Sequence, residues 1–152
     1  MKPLARDGLI LKCVSEVIVV PDKRSIEQIR ASHALKEIKE LQSKGIKEYG
    51  HFKSYTSSLP ASIVMNGLGQ AMAFERSHYN DEKEKGHKYL YDIMEKWLCN
   101  TVYTNEKDLM KAITNHGLEK YLHAQREALA YLEWLKKFSR AYLETQKTAK
   151  EE

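Results

Sequence analysis

Proline and glycine are scarce, at three and seven of 152 residues. A β-sandwich or barrel needs turn signals every ten residues or so, and these are missing. Cysteine is nearly absent too. Cys13 and Cys99 lack the CxxC spacing of a metal or redox site, and two free thiols suit a reducing cytoplasm. No apolar run approaches membrane-spanning length. Lys2 and Arg6 before Leu9–Leu11 resemble a secretion leader only faintly, because Asp7, Lys12 and Glu16 interrupt the apolar stretch. Nor does charge of one sign dominate. Twenty-five basic and 21 acidic residues leave +4, a balance compatible with nucleic acid but far from requiring it. The chain reads as one soluble cytoplasmic domain.

Helical periodicity fills the rest. From Leu118 to Gln146 there is no glycine or proline, and Leu118, Leu122, Leu129, Leu132, Leu135 and Tyr142 recur at three- and four-residue steps. Tyr131, Trp134, Phe138 and Ala141 form a second apolar stripe about 100° further round. An arc that wide predicts a core-organising helix packed on two sides. Its remaining face carries Arg126, Glu133, Lys137, Arg140 and Glu144, with Lys136 beside it.

Upstream, residues 1–22 fit a short helix, while the β-branched Val17–Val20 suggests a strand ended by Pro21. They form either an added element or an extension outside the domain proper. Ser25 followed by Gln28 is a capping box opening a helix to Lys44, stopped by Gly45. A shorter helix is expected over Ile46–Ser57, ended by an SSLP turn. Pro60 then suits the first turn of a helix from Ser58 to Phe74, SLPASIVMNGLGQAMAF. That segment is apolar almost all round, which predicts a buried helix, with Gly67 and Gly69 allowing close approach of its neighbours. Asn80 and Asp81, with Glu84 three residues after Asp81, should open a helix to about Val102 with Leu90, Ile93, Met94, Trp97 and Leu98 inward. Asn105 and Asp108 should start a short one holding Leu109, Ala112 and Ile113. The expected fold is all-α: a compact bundle of roughly five or six helices spanning 23–146, with a long C-terminal helix and a polar tail at 147–152.

Catalytic signatures are missing. There is no HExxH, no GxSxG elbow and no Cys–His relay. The G-L-G of the apolar segment lacks a third glycine, a preceding strand and a Walker lysine. Glu75-Arg-Ser-His78 and Glu84-Lys-Gly-His87 do have the ExxH spacing of di-iron bundles. They fall in the most polar stretch of the chain, which predicts surface charge, and no metal or other cofactor is expected. Trp134, Trp97 and Phe74 are expected in the core, while Asn66 and Gln70 should satisfy buried backbone groups.

The order of three segments carries more information. SIEQIRASHALKEI, then SLPASIVMNGLGQAMAF, then REALAYLEWLKKFSRAY resembles the small helical subunit family of the Cmr complex, the type III-B CRISPR effector that targets RNA. The likeness covers Ser25–Tyr142. It implies a non-catalytic subunit that stacks head to tail into an inner filament, with cleavage belonging to the neighbouring backbone subunits. Implied partners are those backbone subunits, further copies of itself, and the guide RNA–target RNA duplex. A groove-lining subunit touches phosphate and leaves sequence to base pairing. On that reading Arg126, Lys136, Lys137 and Arg140 are the expected RNA contacts, with Lys47 and Lys53 as second choices. The competing assignment is that some of them pin the bundle or a subunit interface. A protein-only helical adaptor, a helix-turn-helix DNA regulator and a metal-dependent enzyme are the rival classes.

Overall fold

A computed structural model describes residues 23–145. The readings of 1–22, of Cys13 and of the tail at 147–152 lie outside the described residues. Among those described there are seven helices and no strand: α1 (Ile26–Lys44), α2 (Ile46–Tyr49), α3 (Phe52–Asn66), α4 (Leu68–Ser77), α5 (Gly86–Thr101), α6 (Leu109–Asn115) and α7 (Leu118–Tyr142). The architecture is a compact all-α bundle with a long last helix.

Local chemistry sets several boundaries. Ser25 Oγ accepts the Gln28 N–H at 3.2 Å and Gln28 Oε1 accepts the Ser25 N–H at 2.8 Å, completing the capping box of α1. Gly45, at φ +85°, ends it. Asp108 caps α6 by accepting the Lys111 N–H at 3.1 Å. Asp81 does not open α5. Its carboxylate accepts the N–H groups of Lys83 and Glu84 in a turn, and the helix begins only at Gly86.

The middle of the chain departs from its expected layout. Helix α3 starts at Phe52 and runs straight through the SSLP segment, leaving Pro60 in its interior. Proline has no N–H, so the Thr56 carbonyl loses its helical partner, a defect that costs roughly 3 kcal/mol in an isolated helix. Packing of α3 against both α5 and α7 offsets it. The expected continuous helix over Ser58–Phe74 is instead broken at Gly67, whose φ is +83°. The Gly67 N–H closes α3 on Ile63, and its carbonyl receives the Ala71 N–H to start α4.

Position 67 therefore tests the break. A Cβ there would lie 2.9 Å from Tyr121 Oη, in a backbone region that L-residues resist. Gly67→Ala should cost roughly 1–3 kcal/mol, read as a lower urea midpoint at unchanged slope. Gly69 is helical, and its added Cβ would meet Ile113 at an ordinary 3.4 Å. Gly69→Ala should be close to neutral. Equal losses at both sites would contradict the break.

Helix α7 is the hub. It lies against α1 and α3 along its length, and against α4 and α5. Ala124, Ala128, Tyr131, Leu132 and Leu135 face inward from it. They meet Ala34, Ile38 and Leu41 of α1, Leu59 and Ile63 of α3, and Leu90, Met94, Trp97 and Leu98 of α5 in one core. The five expected inward residues of α5 are all buried.

Apolar does not mean covered, however. Val64, Met65 and Phe74 are 70%, 80% and 54% exposed, so the segment read as a buried helix presents an apolar outer side. Leu118 and Leu122 are likewise exposed, because α4 engages α7 through Tyr121 and Gln125 instead. Tyr121 Oη accepts the Gly69 N–H and Gln125 Oε1 the Leu68 N–H, satisfying the first turn of α4. That task was expected of Asn66 and Gln70, which are exposed on two different helices. Helix α7 also ends at Tyr142, short of the expected Gln146. Leu143 turns extended and buries its side chain, while Tyr49 Oη accepts the Glu144 N–H at 3.0 Å.

Candidate nucleic-acid interface

The solvent side of α7 faces away from the core formed by the described residues, and its side chains follow from the 3.6-residue repeat. Arg126, Glu133, Lys137 and Arg140 are exposed along it, and Lys136 is half-buried at its edge. Arg126 and Arg140 stand about 21 Å apart along the axis at 1.5 Å per residue. The strip is thus long enough to follow several phosphates, not to clamp one.

Its cations differ in freedom. Lys137 Nζ lies 3.4 Å from the Glu133 carboxylate, and its charge also helps hold the Glu27 carboxyl below its ordinary range. For Glu27 the larger cause is a hydrogen bond from the Trp134 indole. Arg126, Lys136 and Arg140 have no ion-pair partner among the described residues. Lys47 is exposed on α2, also without one. Lys53 is tied to the end of α7, donating to Leu143 O at 3.4 Å and Thr145 Oγ1 at 3.0 Å.

The structure brings Lys53 and Arg140 together. Both line a cleft of about 290 Å³ between the start of α3 and the end of α7, with His51, Ser54, Ser57 and Glu144. Arg126 borders a separate depression at the start of α7, beside Lys120 and His123. Lys136 and Lys137 line neither. Six expected contacts therefore resolve into one pair sharing a cleft and four separate positions.

A second cluster sits between α4 and α5, where the ExxH spacings led to an expectation of surface charge. Glu75 and His87 are instead buried, at 4% and 8% exposure, and His87 Nδ1 lies 2.6 Å from Glu75 Oε2. Burial pushes the Glu75 carboxyl above its ordinary range, against the opposing hydrogen bond from His87. Tyr55 stacks on His87 with ring centroids 3.7 Å apart, and His78 lies 4.7 Å away on a 31° tilt. Glu84 does not join them. Its carboxylate accepts the N–H groups of His51 and Gly86, crowding Gly50 and Gly86 so closely that a Cβ at either would collide with it. Among the described residues no group of three or more His, Cys, Asp or Glu side chains is placed to hold a metal. The cluster joins three helices through polar and aromatic contacts, which the polarity of the segment hid.

The most consequential residue missed by sequence reasoning is Glu127, which interleaves with the basic strip but turns inward. It is 7% exposed. Its oxygens accept Arg30 Nε at 2.7 Å, Arg30 Nη2 at 2.9 Å and Trp97 Nε1 at 3.1 Å. One carboxylate thereby joins α1, α5 and α7. Removing it from the outer face leaves the strip more basic than the sequence suggests.

Comparison with known proteins adds a lineage to this geometry. The model of the CRISPR-associated protein family Cas_Cmr5 matches residues 26–142. "CRISPR system Cmr subunit Cmr5" of Thermus thermophilus is 31% identical over 121 residues, covering 80% of this chain and 98% of that protein. A crystal structure of a CRISPR-associated Cmr5 family protein from Thermus thermophilus superposes with a TM-score of 0.63 at 30% identity. It spans 80% of this chain and 100% of its own.

Proposed function

The chain belongs to the CRISPR-associated Cas_Cmr5 family, and from that premise we propose that it is the small non-catalytic subunit of a type III-B (Cmr) ribonucleoprotein effector. In this reading it serves antiviral defence in the cytoplasm. Copies stack into an inner filament beside the backbone subunits that carry the guide RNA. The filament lines the groove in which target RNA pairs with the guide, and α7 touches phosphate there without reading sequence.

The observation that carries the proposal is the solvent-facing strip of α7, with Arg126, Lys136 and Arg140 unpaired among the described residues. Lys53 meets Arg140 at one end of it, Lys47 is a separate second choice on α2, and Lys137 contributes less because Glu133 competes for it. Net charge of only +4 is sufficient when several copies act along one strand. Stacking draws support from a different feature. Val64 and Met65 at the end of α3 and Leu118 and Leu122 at the start of α7 are exposed where those helices meet at Gly67 and Tyr121. Exposed apolar clusters of this kind mark protein contacts. No helix among the described residues is long and apolar enough to cross a membrane.

The same apolar cluster suits a helical adaptor that binds only proteins, which is the second reading. Affinity purification of tagged protein from its native host separates the two. Copurified effector subunits with short guide RNAs are the expected result. Unrelated proteins without RNA would leave the adaptor.

A further inference from the structure

We propose that the cleft between the first turns of α3 and the end of α7 is a subsite for a single backbone phosphate of the target RNA. The inference rests on the reading of this chain as an RNA-contacting subunit, and it assigns one contact to a place and to residues beyond the basic strip. Lys53 from α3 and Arg140 from α7 line the cleft together. They are far apart in sequence and meet only because α3 lies against α7.

The donor set fits a phosphate. The Lys53 ammonium spends two hydrogen bonds on Leu143 O and Thr145 Oγ1, which fixes its position and leaves a further N–H. Arg140 keeps its whole guanidinium fork, suited to two oxygens of one phosphate. Ser54 and Ser57 occupy the same wall of α3, and neither hydroxyl is engaged by another described residue. Two cations and two hydroxyls are complementary to a tetrahedral anion carrying one charge. At about 290 Å³ the cleft has room for a phosphate and its sugar, since a water takes roughly 30 Å³.

Glu144 gives the proposal a distinctive sign. It lines the cleft without a cationic partner among the described residues, while its backbone N–H is bonded to Tyr49. A carboxylate there opposes any anion in the cleft, so neutralising it strengthens binding. A purely structural role for these residues predicts no such gain.

The test uses the effector complex assembled with its guide RNA, titrated with labelled complementary RNA over a series of salt concentrations. Arg140→Glu and Ser57→Glu should each weaken binding by about tenfold or more. Arg140→Glu should also lower the salt slope by about 1. Glu144→Gln should tighten binding. Arg126→Glu, outside the cleft, is the reference, and chromatographic assembly with an unchanged melting transition shows that each variant is folded and incorporated. Loss with Arg126→Glu but silence from all three cleft variants would overturn the subsite while leaving RNA contact intact. Silence from all four would overturn RNA contact by α7 altogether, and the subsite with it.

Discussion

Replacing Glu127 with alanine should destabilise the protein by on the order of 3–5 kcal/mol. The side chain contributes little by attraction alone, because bringing two opposite charges out of water costs nearly as much as their pairing returns. The loss comes from what is left behind. Arg30, whose side chain is only 14% exposed, would face α7 with no carboxylate there, and the Trp97 indole N–H would lose its acceptor. Arg30 would retain its pairing with Glu27 one helical turn away, so the damage centres on the contact of α1 with α7. Glu127→Gln should fall well short of the alanine variant, since its amide oxygen still accepts one donor. Replacing Arg30 and Glu127 together with leucine and methionine should cost much less than the sum of the single losses. Thermal unfolding of Glu127→Ala, Glu127→Gln, the double variant and its two single replacements checks this. A Glu127→Ala loss within about 0.5 kcal/mol, the range of ordinary surface changes, would mean that the carboxylate faces water.

Trp97→Ala should be comparably severe, at about 3–5 kcal/mol. Trp97 is 3% exposed, and its indole stacks on Tyr131 with centroids 4.7 Å apart and planes 9° from parallel. His33 closes the other contact. Its ring lies 5.0 Å from Trp97 and its Nδ1 2.6 Å from Tyr131 Oη, and burial holds its pKa below the ordinary value. Truncation would leave a cavity where three helices meet. Trp134→Ala should cost clearly less. That ring is half-buried, and its indole N–H bonds to Glu27 at the surface. Denaturant midpoints order the two, and an equal or larger loss at Trp134 would reverse their placement.

The two tryptophans show where the sequence could be read and where it could not. Both sit at apolar positions of an amphipathic helix, and periodicity reports only that a face is apolar. Whether a neighbour covers it depends on where other helices lie. Trp97 and its companions on α5 were legible because the whole face is buried. Trp134, Phe74, Val64, Leu118 and Leu122 were not, because no described helix covers their side fully. Boundaries set by local chemistry, such as the Ser25 cap and the Gly45 stop, could be read directly. The break at Gly67 could not, since a glycine within an apolar run looks the same whether it permits close packing or a left-handed turn. Pro60 misled in the opposite direction, being tolerated inside α3 where propensity places it at a start.

The candidate interface divides in the same way. Arg126, Lys137 and Arg140 share a face by helical repeat alone, so their grouping was legible. Glu127 is next to Arg126 in sequence and lies 100° away around the helix, and its partners Arg30 and Trp97 are remote in the chain. Nothing local distinguishes it from the solvated acids Glu133 and Glu144. The meeting of Lys53 with Arg140 is likewise a property of the tertiary fold. The segment order that marked the family was legible because it is a pattern of the chain itself.

The most direct test of the account is ultraviolet crosslinking of target RNA to the assembled complex, with crosslinked peptides of this subunit sequenced by mass spectrometry. Contact along the outer face of α7 predicts adducts between Arg126 and Arg140 and on the first turn of α3 around Lys53. Crosslinks confined to the α4–α5 side, or none on this subunit while its neighbours are labelled, would contradict it.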